Sequence, residues 1–265
     1  MHPFRRSITK ASAVCAIAIS LIVIAGWFLD IPVLKSMHPV NATMKFNAAV
    51  CVLFTGVALL LVQNNSSSRL QQRTASLLLF IALLICSLTL LEYFFGRNLG
   101  IDELVVKEKV LGLGTKEPGR MSLLACISLF SLALAVICIQ YQKSRLVVQG
   151  ALFFSLLFSV ATLISLMFGI SLIHILPSLA LIALPAAASI IFLCTGIIYF
   201  PHKGYFVFTF NEKLTGGFSL IILVLIIIFF AFRDNSRNVI DTSKRIEHTK
   251  DVLYQSEQLF SEVKD

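Results

Sequence analysis

The stretch that most constrains this chain is MKFNAAVCVLFTGVALLL, residues 44–61, because it suits lipid and recurs. A second copy, MSLLACISLFSLALAVIC, begins at Met121. A third and more drifted copy, IALPAAASIIFLCTGIIY, begins at Ile182. Aligned without gaps, Ala48 matches Ala125 and Ala186, Cys51 matches Ser128 and Ser189, and Ala58 matches Ala135 and Gly196. These positions lie close together on a 3.6-residue helix. Small residues there let backbones approach, which is how helices pack in lipid without a hydrophobic drive between them. Ala, Gly, Ser and Cys are also common in any membrane helix. The repeated face is therefore an expectation about packing.

The segments ahead of these copies match as well. Thr89-Leu90-Leu91-Glu92-Tyr93-Phe94-Phe95-Gly96 precedes the second copy, and Thr162-Leu163-Ile164-Ser165-Leu166-Met167-Phe168-Gly169 precedes the third. Gly26-Trp27-Phe28-Leu29 precedes the first as a looser aromatic match. The repeating unit reads as a helical hairpin: a helix out, an aromatic-glycine end, a loop, and a helix back.

Hydrophobic residues make up 57% of the chain, charged residues only 14%, and the mean hydropathy is +0.89. A soluble domain carries about 25% charged residues. The chain reads as an all-α polytopic membrane bundle whose runs approach the roughly 20 residues that cross a bilayer core. The expected spans are 11–29, 45–62, 75–95, 121–141, 147–168, 176–200 and 217–232, seven in all, forming three hairpins and a last span. The first could pass for a signal peptide, but the run is long and no small-x-small cleavage site follows it. Gly169 to Pro177 breaks the long run from Val147 to Phe200. Pro185 is expected near the start of the sixth span, where it is tolerated or kinks the helix.

The net charge of +8 does not point to nucleic acid, because the basic residues sit at helix ends and in short loops. There they meet lipid headgroups and set topology. With the N-terminus inside, the inner segments hold Arg5, Arg6, Lys10, Arg69, Arg73, Lys143, Arg145, Lys203 and Lys213. The outer ones hold Lys35, Lys45, Arg97, Lys107, Lys109, Lys116 and Arg120. Most of the outer set falls in one long loop, whose weight is lower. This predicts a multi-pass membrane protein with a cytoplasmic N-terminus and an outside C-terminus.

After Phe232 the composition changes. Val239, Ile246, Leu253 and Phe260 recur every seven residues, with Thr242, Thr249, Ser256 and Val263 alongside. This is an amphipathic helix with a narrow seam. A helix with so thin an apolar stripe needs partner helices. Two expectations follow: the chain is the front part of something longer, or it forms a homodimer through residues 236–265.

Two segments resemble known families. The repeated hairpins, with EYFFGRNLGID at 92–102 and GRMSLLACISLFSLAL at 119–134, resemble a multi-span membrane sensor module found ahead of bacterial histidine kinases and diguanylate cyclases. That module commonly carries Met-x-Pro-Asn-Thr-Ala at a helix start. Met44-Lys45-Phe46-Asn47-Ala48-Ala49 keeps the Met, the Asn and one Ala, and lacks the Pro and Thr. Residues 211–265 are similar to the entry into a CHASE-type extracellular sensor domain of the third subtype, with Ile246-Glu247-His248-Thr249-Lys250-Asp251-Val252 in place of its Val-x-His-Thr-x-x-Val. The resemblance implies a sensor module over 1–215, and a last span with the start of an extracellular helix over 216–265. It also implies a sensory input region of a two-component receptor, whose partner is a downstream signalling domain or response regulator.

No catalytic constellation is present in the sequence, and no metal or cofactor is expected. The six cysteines, Cys15, Cys51, Cys86, Cys126, Cys138 and Cys194, lie in apolar runs and read as packing residues. His174 near the outer face is either a pH-responsive group or a solvated side chain. His248 and Thr249 carry the CHASE pattern, where His248 reads as a helix–helix hydrogen-bonding residue. Glu92 is the one acidic residue inside a span, and intramembrane charge marks a functional-site hypothesis. Its place one turn from the outer end lets its carboxylate reach water. Two other functions stay open: a small transporter or channel using Glu92, and a dimerising membrane scaffold.

Overall fold

The computed structural model describes residues 3–36, 42–64, 68–108, 117–167, 182–201 and 217. Regular structure among them is helical throughout: α1 (Pro3–Phe28), α2 (Pro32–Ser36), α3 (Phe46–Gln63), α4 (Arg69–Phe95), α5 (Leu123–Gln140), α6 (Arg145–Met167) and α7 (Leu184–Ile198). Helices α1, α3, α4, α5 and α6 are long and apolar enough to cross a bilayer, while α7 is shorter. Gly217 is helical, but the rest of the expected seventh span and the heptad tail lie outside the described residues.

Two span boundaries differ from expectation. Helix α1 begins at Pro3, ahead of the apolar run, so its first turns carry Arg5, Arg6 and Lys10 toward the headgroup level. For the sixth expected span, residues 176–181 lie outside the described residues. Ala183 is extended (φ −61°, ψ 146°) and helix α7 begins at Leu184. Pro185 therefore sits in the first turn, where its missing N–H has no intrahelical partner to lose.

The repeat has a structural counterpart. Helices α3, α5 and α7 each begin two residues after the first residue of their copy: Met44, Met121 and Ile182. The residue before each helix (Lys45, Ser122, Ala183) is extended, with ψ of 153°, 147° and 146°. The aligned small residues are buried in all three: Ala48, Ala125 and Ala186; Cys51, Ser128 and Ser189; Ala58, Ala135 and Gly196. Glycine gives the closest approach at the last of these. A Cβ on Gly196 would stand 2.9 Å from Leu59 Cδ2 and 3.6 Å from the Thr9 carbonyl.

Helices α3, α5 and α7 touch one another pairwise and form the inner layer, with α1, α4 and α6 wedged between them. Helix α4 packs on α5 and α3, α6 on α7 and α5, and α1 on α3 and α7. Each outer helix thus contacts the inner helix of its own pair and that of the preceding pair, and α1 closes the circle. The result is a ring of three hairpins with three-fold pseudo-symmetry.

Side-chain register follows the pseudo-symmetry. Trp27 Nε1 donates to the Met44 carbonyl (2.8 Å), and Tyr93 Oη donates to the Met121 carbonyl (2.8 Å). These two aromatic residues close the outer helices α1 and α4 and bond to matching positions of the repeat. Three residues after each, the chain turns left-handed, at Asp30 (φ 55°) and Gly96 (φ 61°). Glycine takes that conformation without cost, and Asp is one of the few residues that tolerate it. The expected aromatic-glycine end holds at Tyr93 and Gly96, while after Trp27 the turn falls on Asp30 instead of a glycine; Phe168 and Gly169 of the third copy lie outside the described residues.

Outward faces are apolar. Val14, Leu21 and Ile22 on α1 and Leu77, Phe80 and Leu84 on α4 are exposed, as suits helices whose outer face meets acyl chains.

Candidate functional site

The ring has two unlike ends. One gathers the start of α1, the end of α3, the start of α4 and the end of α5. Gln63 Nε2 there donates to the Arg6 carbonyl (2.5 Å), and Gln140 Nε2 donates to the Gln72 carbonyl (3.0 Å). Ser68 and Gln71 form a reciprocal capping box at the start of α4, which satisfies two backbone donors. Every described Asp or Glu lies at the opposite end or in the segment covering it: Asp30, Glu92, Asp102, Glu103, Glu108 and Glu117.

At that acidic end the segment between α4 and α5 folds back over the bundle as a cap. Asn47, in the first turn of α3, donates to the Ile101 carbonyl (3.2 Å). Lys45 has no side-chain cap bond to make to its own helix. Its Nζ instead meets Glu108 Oε1 at 2.5 Å, with both side chains about 5% exposed or less. Glu108 Oε2 accepts from the Gly119 N–H (2.6 Å), and the Glu108 N–H donates to Glu103 Oε1 (2.8 Å). Gly119 has φ 71°, and a Cβ there would lie 2.7 Å from the Asp102 carbonyl oxygen. Only glycine lets the two arms of the cap come this close.

Beside this pair sits a second cluster. Arg120 Nε donates to Asp102 Oδ2 (2.9 Å) and lies 3.4 Å from Glu92 Oε2. Glu92 Oε1 accepts from the Leu99 N–H (2.7 Å), which pins the chain just past α4. The Arg120 guanidinium stands 5.6 Å from the Tyr93 ring centroid, within cation–π range. Burial works against the charge on Arg120, but Asp102 and Glu92 more than offset it and hold the guanidinium above its ordinary value. Glu92 does not reach water, contrary to the sequence expectation: it is 1% exposed and faces Arg120. Folding the cap over the helix end is what buries it.

The cluster is not fully satisfied. Glu92 Oε2, Asp102 Oδ1 and Arg120 Nη2 are buried without a hydrogen-bond partner among the described residues. Two carboxylates face one guanidinium, while Lys45 and Glu108 neutralise each other. Each unmade bond in a buried polar network has a free-energy cost, so a further donor or acceptor at these atoms would stabilise the cluster.

The other residues singled out in the sequence lie elsewhere. Ala48, Ala125 and Ala186 are buried packing residues. Cys51 meets α4, its Sγ 3.8 Å from the Ala82 carbonyl and 3.8 Å from Cys86 Sγ, and Cys126 Sγ reaches the Cys86 carbonyl at 3.2 Å. All six cysteines are free thiols, and these three share one interface. The Ser128 carbonyl accepts from Ser155 Oγ (3.4 Å), so Ser128 serves the α5–α6 contact as Cys51 serves α3–α4. Ser189 Oγ bonds within its own helix to the Pro185 carbonyl (2.8 Å). His174, His248 and Thr249 lie outside the described residues. Sequence reasoning missed Lys45, Asp102, Glu108, Gly119 and Arg120. The one available signal was the concentration of acids between Gly96 and Met121, in a part of the chain, ahead of Phe232, that is otherwise poor in them.

Comparison with known proteins found no matching family and no match among curated proteins or solved structures.

Proposed function

We propose that this chain is the membrane-embedded sensory input region of a bacterial signal-transduction receptor of the two-component type. In this reading it carries seven spans, a cytoplasmic N-terminus and a periplasmic helix after the last span. The carrying observation is the buried charge cluster that fastens the cap to the ring: Arg120 between Asp102 and Glu92, with Lys45 on Glu108 beside it. A cap held by a few charged contacts has two discrete arrangements, seated and lifted, and a stimulus that prefers one biases the helices it clasps. The cap ties the end of α4 to the starts of α3 and α5, so lifting it frees one end of two inner helices. The sensor resemblance of residues 92–134 covers this segment and supports the same reading.

A carrier using Glu92 would first have to release it from Arg120 and Leu99, which argues for a fastening role. The test expresses the complete reading frame with its natural downstream codons. Output activity, autophosphorylation or cyclic dinucleotide synthesis, is compared between wild type and Glu108→Gln. A changed ratio of stimulated to basal output is expected. Unchanged output with proteoliposome flux that is lost in Glu92→Gln would overturn the reading in favour of transport.

A further inference from the structure

The end of the ring opposite the cap is as one-sided as the cap is mixed. Arg5, Arg6, Lys10, Arg69, Arg73, Lys143 and Arg145 gather there, and no Asp or Glu among the described residues joins them. Between the start of α1 and the end of α3 this end opens into a cavity of about 490 Å³ lined by Arg6, Ser7, Lys10, Leu60, Gln63 and Asn64. That volume is within the roughly 300–1,000 Å³ typical of small-ligand sites.

The cavity is built for an anion. Arg6 and Lys10 are four residues apart on α1 and share a face, where two like charges repel unless something negative lies between them. Arg6 is held at the rim by two bonds. Its carbonyl accepts from Gln63 Nε2 (2.5 Å), and its Nη2 donates to Asn64 Oδ1 (3.0 Å). A guanidinium has five N–H donors, and the bond to Asn64 uses one of them. Gln63, itself buried, stiffens the wall. The pattern of a planar donor beside a flexible ammonium suits tetrahedral phosphate oxygens.

The surroundings select the source of that phosphate. Leu60 gives the cavity one apolar wall. From Lys10 an apolar track runs along the same face of α1 through Val14 and Leu21, 47% and 50% exposed. Spacings of four and seven residues keep these side chains in line. A free phosphate has no use for such a track, whereas a phospholipid lays its acyl chains along it. Basic pockets between membrane helices on the cytoplasmic side are where anionic headgroups bind.

We propose that this cavity binds the phosphodiester headgroup of an anionic phospholipid, with Arg6 and Lys10 on the phosphate and the acyl chains along α1. The site is at the far end from the charge cluster and does not depend on a sensory role.

The test uses the full chain purified in phosphatidylcholine nanodiscs doped with phosphatidylglycerol, with lipid retained on the protein read by native mass spectrometry. Wild type is expected to keep one phosphatidylglycerol in preference to phosphatidylcholine. R6Q/K10Q is expected to lose roughly tenfold or more in that preference, and R6K/K10R to keep it. R69Q/R73Q removes the same charge from the same end without touching the cavity and is expected to change the preference less than about twofold. Equal losses in R6Q/K10Q and R69Q/R73Q would mean diffuse surface attraction and overturn the proposal. So would displacement of the lipid by millimolar glycerol phosphate or inorganic phosphate, which would assign the site to a soluble anion. Helicity and the Trp27 emission of each variant verify that lost binding is not lost folding.

Discussion

Replacing Arg120 by Met tests the cap most directly. The substitution keeps an unbranched apolar stem and removes the guanidinium, which among the described residues is the cation facing Glu92 and Asp102, whose side chains are 0% and 1% exposed. Removing one partner from a buried ion pair costs about 3–5 kcal/mol, because the remaining charge is left uncompensated. The lower end applies here, since the Leu99 N–H still donates to Glu92 and stabilises one carboxylate. A loss of about 3 kcal/mol is a factor of roughly 150 in the folded-to-unfolded ratio. The assay is reversible unfolding in mixed micelles, followed by the emission of Trp27, the only tryptophan. The triple variant Arg120→Met, Glu92→Gln, Asp102→Asn separates charge from packing. The cost of breaking a buried pair comes chiefly from the uncompensated charge it leaves, and the two amides remove that charge, so the triple variant should recover a substantial part of the loss. A cost under about 1 kcal/mol for Arg120→Met, or a triple variant no more stable than the single, would refute the account of the cluster given above.

Three further outcomes are expected. Tyr93→Phe removes the hydrogen bond to the Met121 carbonyl and should cost about 1 kcal/mol in the same unfolding assay; Trp27→Phe, followed by far-UV circular dichroism because it removes the fluorophore, loses both its bond to Met44 and part of a buried ring and should cost more, and a smaller cost than that of Tyr93→Phe would contradict this. Gly119→Ala places a Cβ at φ 71° and 2.7 Å from the Asp102 oxygen, so the cap should lift. Limited proteolysis between Gly96 and Met121 should then become at least several-fold faster while the helices stay intact. Single cysteines at Arg73 and Lys107 in a background lacking native cysteines should label from opposite sides of the membrane with an impermeant maleimide, and labelling from one side would contradict the hairpin topology.

The ring was legible in the sequence because its inner helices repeat a physical requirement. Close approach of backbones demands small side chains at fixed offsets, and Ala48, Cys51 and Ala58 reappear as Ala125, Ser128 and Ala135. The helix starts were only roughly legible: spans were expected from residues 45, 121 and 176, whereas the helices begin at Phe46, Leu123 and Leu184, a shared offset from each copy that hydropathy alone does not give. The left-handed turn at Asp30 was hidden by its residue type, because only the glycine version of that end is visible as a motif. The cap was not legible for a different reason. Its contacts join Lys45 to Glu108 and Arg120 to Asp102 and Glu92, across irregular backbone with no period to betray them. Glu92 drew notice as a lone acid in a span, yet its partners come from a segment that hydropathy alone reads as a solvated loop. The closure of α1 on α7 was equally silent, since a pattern within each hairpin says nothing about which hairpins meet.

That closure bears on how the protein is made. Thr9 Oγ1 donates to the Gly196 carbonyl across 187 residues of chain. Within each hairpin the partners are neighbours in sequence and can find each other soon after synthesis. The first helix to enter the membrane, by contrast, keeps one flank uncovered until α7 emerges. A nascent chain halted after α5 has an open seam on α1 that fits the missing third hairpin. In that interval a second nascent copy, or a chaperone of the insertion machinery, competes for the flank that α7 later occupies.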